Sequence, residues 1–265
     1  MTTHTDDQIR SAVLDAYRRA ARGEPTAAGG CCDTGCGCGG DEQASVIGYS
    51  PEELAAVPAG SNLGLGCGHP TKVPGIREGE TVLDLGSGSG FDCFLAAAGV
   101  GQGGQVIGVD MTPEMVARAR DRASDAGITN VSFRLGEIEH LPVADGTVDV
   151  IISNCVVNLA PDKRAVYREA FRVLKPGGRL AISDVVAHAP LPEEVRDDLR
   201  LWASCAAGAS AVDELSAMLL EIGFEEVRID IDTASGELIR SWSPVAGLER
   251  SLSSAMVLAV KRSAT

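Results

Sequence analysis

Short apolar runs alternate with amphipathic stretches along most of the chain. Runs rich in β-branched and other apolar residues, typical of buried strands, cover 81–85, 105–109, 131–135, 148–153, 179–185, 225–231 and 254–260. Helical periodicity, with helix-start and helix-stop residues, predicts helices over 6–22, 91–98, 113–126, 162–174, 192–207 and 211–222. Because short strands alternate with helices, the pattern predicts an α/β protein whose mostly parallel sheet carries helices on both faces.

Residues 23–43 break this regular pattern, because they are rich in glycine and poor in bulky apolar residues. The segment contains Cys31, Cys32, Cys36 and Cys38. We expect it to be flexible and to be followed by a short helix capped by Ser50. The chain is thereby divided into an N-terminal helix with its cysteine-rich segment (1–45), a core (46–188), and a C-terminal part (189–265) with a helical cap and the last two strands.

Composition limits the classes of partner. The chain has 265 residues, of which 45% are hydrophobic and only 4% aromatic, so a substantial core must be built mainly from aliphatic side chains. A formal net charge of −14 argues against nucleic acid, whose phosphates require clustered Lys and Arg. No apolar run approaches the length of a membrane span, and residues 1–10 lack the features of a signal peptide. We therefore expect a cytoplasmic protein without nucleic-acid or membrane partners.

A glycine loop carries the first chemical signal. Asp84–Gly90 follows a strand and opens a helix, and Asp110 lies at the end of the next strand, 20 residues after Gly90. An acid at that place can accept both ribose hydroxyls of an adenosine. The G-x-G-x-G spacing differs from the dinucleotide pattern, and Asp84 would repel a pyrophosphate. Both features favour S-adenosylmethionine, whose amino-acid end Asp84 could help to orient.

The chain here resembles class I methyltransferases, which share the glycine loop, the second-strand acid and a Leu-Lys-Pro-Gly-Gly stretch (174–178). The resemblance implies a Rossmann-like, seven-stranded sheet. It also implies that Ile138 packs on the adenine ring, although a surface loop remains the alternative for Glu137, and that Asn154 lies near the methionine part of the cofactor. The predicted cofactor-binding residues are Asp84, Gly86, Ser87, Gly88, Gly90, Asp110, Met111, Ile138, Glu139 and Asn154.

Three cysteines far apart in sequence carry the second signal. Cys155 directly follows the fourth strand, where ligands of open α/β sheets bind. Cys67 has glycine on both sides, so its loop is expected to bury little, and Cys205 lies in a helical stretch where core filler and ligand are equal alternatives. The cytosol keeps thiols reduced, so metal, metalloid or redox chemistry explains the eight cysteines better than a disulfide framework. Thiols gathered beside a cofactor suggest a soft, thiophilic substrate.

Together these segments resemble arsenite methyltransferases over roughly residues 47–224. The matching stretches are 62–70, 82–94, 109–115, 135–143, 153–159 and 204–208. The resemblance implies that Cys67, Cys155 and Cys205 hold trivalent arsenic and that a further N-terminal cysteine takes part in thiol exchange. We take Cys32, or its neighbour Cys31, as the disulfide partner of Cys67.

The same resemblance implies arsenite or its thiol conjugates as substrate, with antimonite as a further candidate, and arsenic detoxification as the role. Methyl transfer formally oxidises arsenic, so a thiol reductant such as thioredoxin or glutathione is expected as electron source. Two rivals stay open: a small-molecule C- or O-methyltransferase with incidental cysteines, and a non-catalytic metalloid-binding protein. Cys36 and Cys38 fit metalloid capture and a loosely binding tail equally well, whereas Cys93 is expected in the core.

Overall fold

The computed structural model of the protein describes residues 4–24, 40–72, 75–188, 191–242, 245 and 247–263. Most of the predicted flexible segment, including Cys31, Cys32, Cys36 and Cys38, lies outside these residues. Its last part does not fit the prediction, because Gly40–Val46 is helical. Within the described part of the chain, no helix is long and apolar enough to cross a membrane.

A mixed sheet forms the centre of the molecule. Its strands are β1 (Thr81–Leu85), β2 (Gln105–Asp110), β3 (Val131–Leu135), β4 (Val148–Asn154), β5 (Leu174–Ala187), β6 (Ser210–Ala211), β7 (Phe224–Asp232) and β8 (Leu252–Lys261). The strand order is β3-β2-β1-β4-β5-β8-β7, with the two-residue β6 paired to β5 off this path. Strand β8 runs antiparallel to both neighbours, while the other pairs are parallel. The predicted α/β architecture is confirmed, and β6 is a small addition to the seven expected strands.

Helices cover the sheet and extend beyond it. They are α1 (Asp6–Arg22), α2 (Gly40–Val46), α3 (Pro51–Ala56), α4 (Phe91–Val100), α5 (Pro113–Asp125), α6 (Lys163–Val173), α7 (Glu193–Arg196), α8 (Leu199–Ala203), α9 (Val212–Ile222) and α10 (Gly236–Trp242). The continuous stretch predicted over 192–207 is two short helices instead. Local capping explains two of the starts, because Thr5 with Gln8 and Ser50 with Glu53 form capping boxes.

The core divides between the two faces of the sheet, as the period-two alternation of a strand requires. Leu83 and Leu85 of β1 belong to a cluster that includes Tyr167 of α6 and Leu219 of α9. Val82, the residue directly before Leu83, belongs to the opposite cluster, which α4 and α5 help to build. Because helices cover both faces, the sheet is left open at the end where the carboxyl ends of the parallel strands meet.

Strand β1 is the topological switch point, because it pairs with β2 on one side and with β4 on the other. In open α/β sheets, ligands bind in the crevice beyond the carboxyl ends of strands at such a point. The glycine loop after β1 and the residues after β4 are thereby brought side by side.

One predicted breaker is part of a strand. The pairing of β4 with β5 shifts register between Val148, which lies opposite Leu174, and Val150, which lies opposite Arg179. The intervening stretch 175–178 therefore forms an irregularity within β5. Proline and glycine end α6 as expected, but they do not delay the start of the strand.

Truncating Phe224 should destabilise the protein, because it is the buried residue of β7. This side chain is 2% exposed and packs edge-on against Phe171, with ring centroids 5.1 Å apart. Phe224→Ala should lower the free energy of unfolding by about 3–5 kcal/mol. Leu220→Ala, at a 57% exposed position of α9, is the matched control and should change it by less than about 0.5 kcal/mol. Urea unfolding followed by circular dichroism measures both values, and equal losses would contradict the prediction.

Candidate active site

A cavity opens at the carboxyl ends of β1, β2 and β4. Every predicted cofactor-binding residue except Gly90 lines it, and so does Cys155. Helix α1 contributes Arg10, Val13 and Tyr17 to the same wall. Gly90 has a structural place at the start of α4, where its φ of 94° and the contact of an added Cβ with Phe94 and Phe133 both favour glycine.

The glycine loop is held by backbone bonds to the neighbouring strand. Gly86 and Ser87 donate their N–H groups to the Val109 carbonyl, at 2.8 and 3.0 Å. The N–H of Gly88 donates to Asp110 Oδ2 at 2.9 Å. A Cβ added at Gly88 would meet no atom within 4 Å. This open space is where the loop can approach a ligand closely.

Carboxylates are concentrated at the cavity. Burial, and then the charge of Asp92, raises the pKa of Asp84 well above its ordinary value, although the Cys93 thiol donates to it at 3.2 Å. Burial likewise raises the pKa of Asp92 and of Asp110. A cationic ligand would favour the ionised forms of these groups, so the electrostatics of the cavity suit a positively charged cofactor.

The cavity has an ion-paired wall on its α1 side. Arg10 Nη2 lies 3.2 Å from Oε1 of Glu139, whose side chain is 5% exposed. Arg10 Nε lies 3.7 Å from Glu137 Oε2. Ile138, between these two acids, is buried against the sheet and also lines the cavity. Glu137 is therefore tied to the N-terminal helix and is not simply part of a free surface loop.

The three predicted cysteines meet beside this cavity. Cys67 and Cys155 are joined by a disulfide, with Cα atoms 5.8 Å apart. The Cys205 thiol donates to the Cys155 carbonyl at 2.9 Å. All three are at most 4% exposed. In this structure Cys67 is bonded to Cys155 and not to the expected partner, Cys32 or its neighbour Cys31, because a disulfide sulfur has one partner; Cys31 and Cys32 both lie outside the described residues.

Two of these cysteines hold unusual backbone conformations. Cys155 has φ of 55° and Cys205 has φ of 62°. This left-handed region costs a residue with a Cβ roughly 1–2 kcal/mol. Such strain persists where the surrounding structure imposes it, and it is concentrated at functional sites.

An acid and a lysine adjoin the cysteines. A carboxylate oxygen of Asp184 and the sulfurs of Cys67 and Cys155 all lie within 4.8 Å of one another. Burial raises the pKa of Asp184 to about 6, although hydrogen bonds donated by Asn158 and Val185 lower it.

The pKa values of Lys163 and Cys205 are also shifted by burial. Burial lowers the pKa of Lys163 to about 8. The pKa of Cys205 is raised well above its ordinary value by burial and by Asp184, and Lys163 opposes this.

Several polar residues of the site, among them Asp184, Asp92, Tyr49 and Lys163, were not among the predicted site residues. Asp184 is an acid within an apolar strand, and that placement was a usable signal. Asp92 gave none, because an acid in the first turn of a helix is ordinary. Tyr49, in the loop between α2 and α3, and Lys163, the first residue of α6, gave none either. Of the histidines, His69 is buried and stacks on Tyr49, with ring centroids 3.9 Å apart.

Comparison with known proteins shows the family of this chain. A family model described as a methyltransferase domain matches residues 76–225. The crystal structure of CrArsM, an arsenic(III) S-adenosylmethionine methyltransferase from Chlamydomonas reinhardtii, superposes with a TM-score of 0.63. The two sequences are 33% identical, and the match covers 83% of this chain and 73% of that one. The chain belongs to the arsenite methyltransferase family.

Two curated members of the arsenite methyltransferase family are also similar. The Halobacterium salinarum protein is 53% identical over 233 residues, which cover 88% of this chain and 59% of that protein. The Aquipseudomonas alcaligenes protein is 47% identical over 171 residues, covering 62% of this chain and 49% of that protein. The chain thus spans about half to three fifths of the length of these two relatives.

The raised pKa of Asp184 predicts a dependence of stability on pH. The folded state holds this proton up to a pKa of about 6, and the unfolded state only up to the ordinary 3.8. The contribution of Asp184 to stability is therefore fully present below about pH 4 and is lost as the pH rises through about 6. Asp184→Asn, which cannot titrate, should show a shallower fall in the free energy of unfolding across this range.

Urea unfolding at a series of pH values measures this slope for the wild type and the variant. Asp121→Asn, on an exposed face of α5, is the surface control. Parallel curves for the wild type and Asp184→Asn would contradict the assignment.

Proposed function

We propose that this protein transfers a methyl group from S-adenosylmethionine to trivalent arsenic held by Cys67, Cys155 and Cys205, giving methylated arsenicals and so detoxifying arsenic. The observation that carries the proposal is the meeting of these buried sulfurs beside the cavity at the switch point. Membership of the arsenite methyltransferase family supports the choice of substrate.

The residues of the cavity fit S-adenosylmethionine. Asp110 would accept from ribose hydroxyls, Met111 and Ile138 would pack on the adenine, and Asp84 with Asn154 would hold the amino-acid end. The open side of Gly88 leaves room for close approach. When bound, the cofactor supplies an electrophilic methyl group on its sulfonium, and its positive charge suits the buried carboxylates.

The cysteines would bind arsenic as a thiolate complex. Arsenous acid exchanges three hydroxides for three thiolates, and the thiol protons leave in three waters, so the step balances without an oxidant. Three thiolates leave arsenic a lone pair on its open side, and this pair is the nucleophile. Arsenic carries no proton, so no general base is required for the methyl transfer. The catalytic contribution of the cysteines is positioning.

Electrons enter through thiol chemistry. Forming the carbon–arsenic bond with the lone pair formally oxidises arsenic to the pentavalent state, and two electrons return it to the trivalent state. Oxidation of two thiolates to a disulfide supplies two electrons, and a thiol reductant, thioredoxin or glutathione, would then restore the pair. The Cys67–Cys155 bond supports these two as such a pair, and Cys32 remains a candidate to relay exchange to Cys67.

We also propose a setting and a division of roles. The cytosol suits a site that must be kept reduced. Residues 1–45 would bring further thiols, 46–188 would bind the cofactor, and 189–265 would supply Cys205 and complete the sheet. Antimonite, which is also trivalent and thiophilic, is a second candidate substrate.

Cys67, Cys155 and Cys205 together form the cysteine cage, and replacing any one of them should separate substrate chemistry from cofactor binding. Cys67→Ser, Cys155→Ser and Cys205→Ser should each lower the formation of methylated arsenic on the order of 10²-fold or more, because the nucleophile loses its position. S-adenosylmethionine affinity, measured by calorimetry, should change little. Cys93→Ser is the matched control. Cys93 is buried like the cage cysteines, and its thiol donates to Asp84. The serine hydroxyl keeps this donor.

Normal turnover by any of the cage variants would contradict the proposed mechanism. Activity that survives alkylation of all accessible thiols would favour a small-molecule C- or O-methyltransferase instead. Arsenite binding without any methylated product, in the presence of cofactor, would favour a metalloid-binding protein.

Arsenite binding should depend on reduction of the Cys67–Cys155 bond. The oxidised protein lacks two of the three thiolates, so its affinity for arsenite should fall at least tenfold, a loss of about 1.4 kcal/mol or more. Treatment with a dithiol, followed by removal of the excess, should restore binding in calorimetric titration. Peptide mapping before reduction should recover a cross-linked pair containing Cys67 and Cys155. Equal arsenite affinity in both states would contradict the prediction.

A further inference from the structure

A buried polar cluster lies between the cofactor cavity and Cys67. It consists of Tyr49, Asp92 and Asn154, all of which line the cavity. Tyr49 is 3% exposed and Asp92 is 7% exposed. Polar groups buried this far are retained where hydrogen bonds satisfy them. The bonds of the Tyr49–Asp92–Asn154 cluster therefore show which segments it holds together.

Asp92 receives one donor on each carboxylate oxygen. The Tyr49 hydroxyl donates to Oδ1 at 2.6 Å, and Asn154 Nδ2 donates to Oδ2 at 3.2 Å. An ionised carboxylate only accepts, so it suits two donors that arrive from different segments. Asp92 itself lies in the first turn of α4, directly after the glycine loop. The cluster is thus attached to the cofactor side of the site.

Asn154 attaches the same cluster to the cysteines. The N–H of Cys67 donates to Asn154 Oδ1 at 2.9 Å, and Asn154 Nδ2 donates to the Gly68 carbonyl at 2.8 Å. Asn154 is followed directly by Cys155. Tyr49 adds a second contact to the Cys67 loop, because its ring stacks on His69. Both segments that carry the disulfide sulfurs are therefore tied to Asp92 within two hydrogen-bonded steps.

We propose that Asp92 is a positioning residue that couples the cofactor cavity to the cysteine cage. A ligand that orders the glycine loop fixes the start of α4, and Asp92 passes that order to Tyr49 and Asn154. These two then hold the Cys67 loop against the cavity. The inference rests on the proposed function, because it takes the cage to be the arsenic site. Its geometry does not depend on the identity of the substrate.

Two variants separate this role from general stability. In Asp92→Asn, the amide offers one acceptor and one donor group, so one of its atoms faces an incoming donor. Tyr49→Phe removes a single hydroxyl without adding a donor. Tyr167→Phe is the matched control, since Tyr167 is a fully buried tyrosine of α6 outside the cavity lining.

The readout is the alkylation rate of Cys67 in the reduced, full-length protein, with and without S-adenosylhomocysteine. Iodoacetamide labelling with peptide mapping gives this rate. The ligand should slow alkylation about tenfold in the wild type and in Tyr167→Phe, within the usual range of coupling between sites. In Asp92→Asn and in Tyr49→Phe the slowing should shrink to about twofold or less, and the double variant should add little.

A ligand effect that is absent in the wild type, or unchanged in both variants, would overturn the inference. Circular dichroism checks that each variant folds. If Asp92→Asn does not fold, Tyr49→Phe still tests the inference. Arsenite titration and product analysis form a separate arm. Cys67 protection in a wild-type protein that does not methylate arsenite would remove the proposed function and leave the role of Asp92 standing. Normal arsenite methylation, together with unchanged Cys67 protection in both variants, would keep the proposed function and overturn the role of Asp92.

Discussion

The turn between Asn154 and Cys155 is the constraint on which the site depends. Asn154 ends β4, and Cys155 takes a left-handed φ of 55°. The N–H of Cys155 still donates to the Ser183 carbonyl at 2.8 Å, so the backbone stays attached to β5 while its direction changes. Two consecutive residues thereby serve two neighbouring sites. The side-chain amide of Asn154 reaches the cofactor cavity and the Cys67 loop, and the sulfur of Cys155 belongs to the cysteine cage.

Buried carboxylates set the electrostatics around this turn. Burial raises the pKa of Asp84, Asp92, Asp110 and Asp184. Four acids in an aliphatic interior oppose folding at neutral pH, because each would be better solvated in the unfolded chain. A cationic ligand offsets that penalty only at the cavity. Asp84, Asp92 and Asp110, which line the cavity, thus lower the stability of the free protein and favour the binding of a sulfonium cofactor.

The architecture follows from local pattern, whereas the polar clusters do not. Strands β1 and β3 lie at their predicted bounds, and β2 and β4 each end one residue later than predicted. This agreement arises because alternating apolar runs and glycine turns are local properties. The bonds of Asp92 join residues 43 and 62 positions apart, and no local pattern reports such distances. The cysteine trio came from resemblance to a family. Spacing alone does not bring residues 67, 155 and 205 together.

The glycines beside Cys67 illustrate how a local signal can be interpreted for the wrong reason. Glycine on both sides suggests a mobile loop that buries little, yet Cys67 is 3% exposed. A Cβ at Gly66 would lie 2.8 Å from Asn154 Nδ2, and one at Gly68 would overlap the Ser183 hydroxyl. Neither glycine has the positive φ that only glycine adopts easily. The two glycines therefore allow close approach. Without side chains on either side of Cys67, the backbone lies against Asn154 at the end of β4 and against Ser183 within β5, and the Cys67 sulfur is brought into the site.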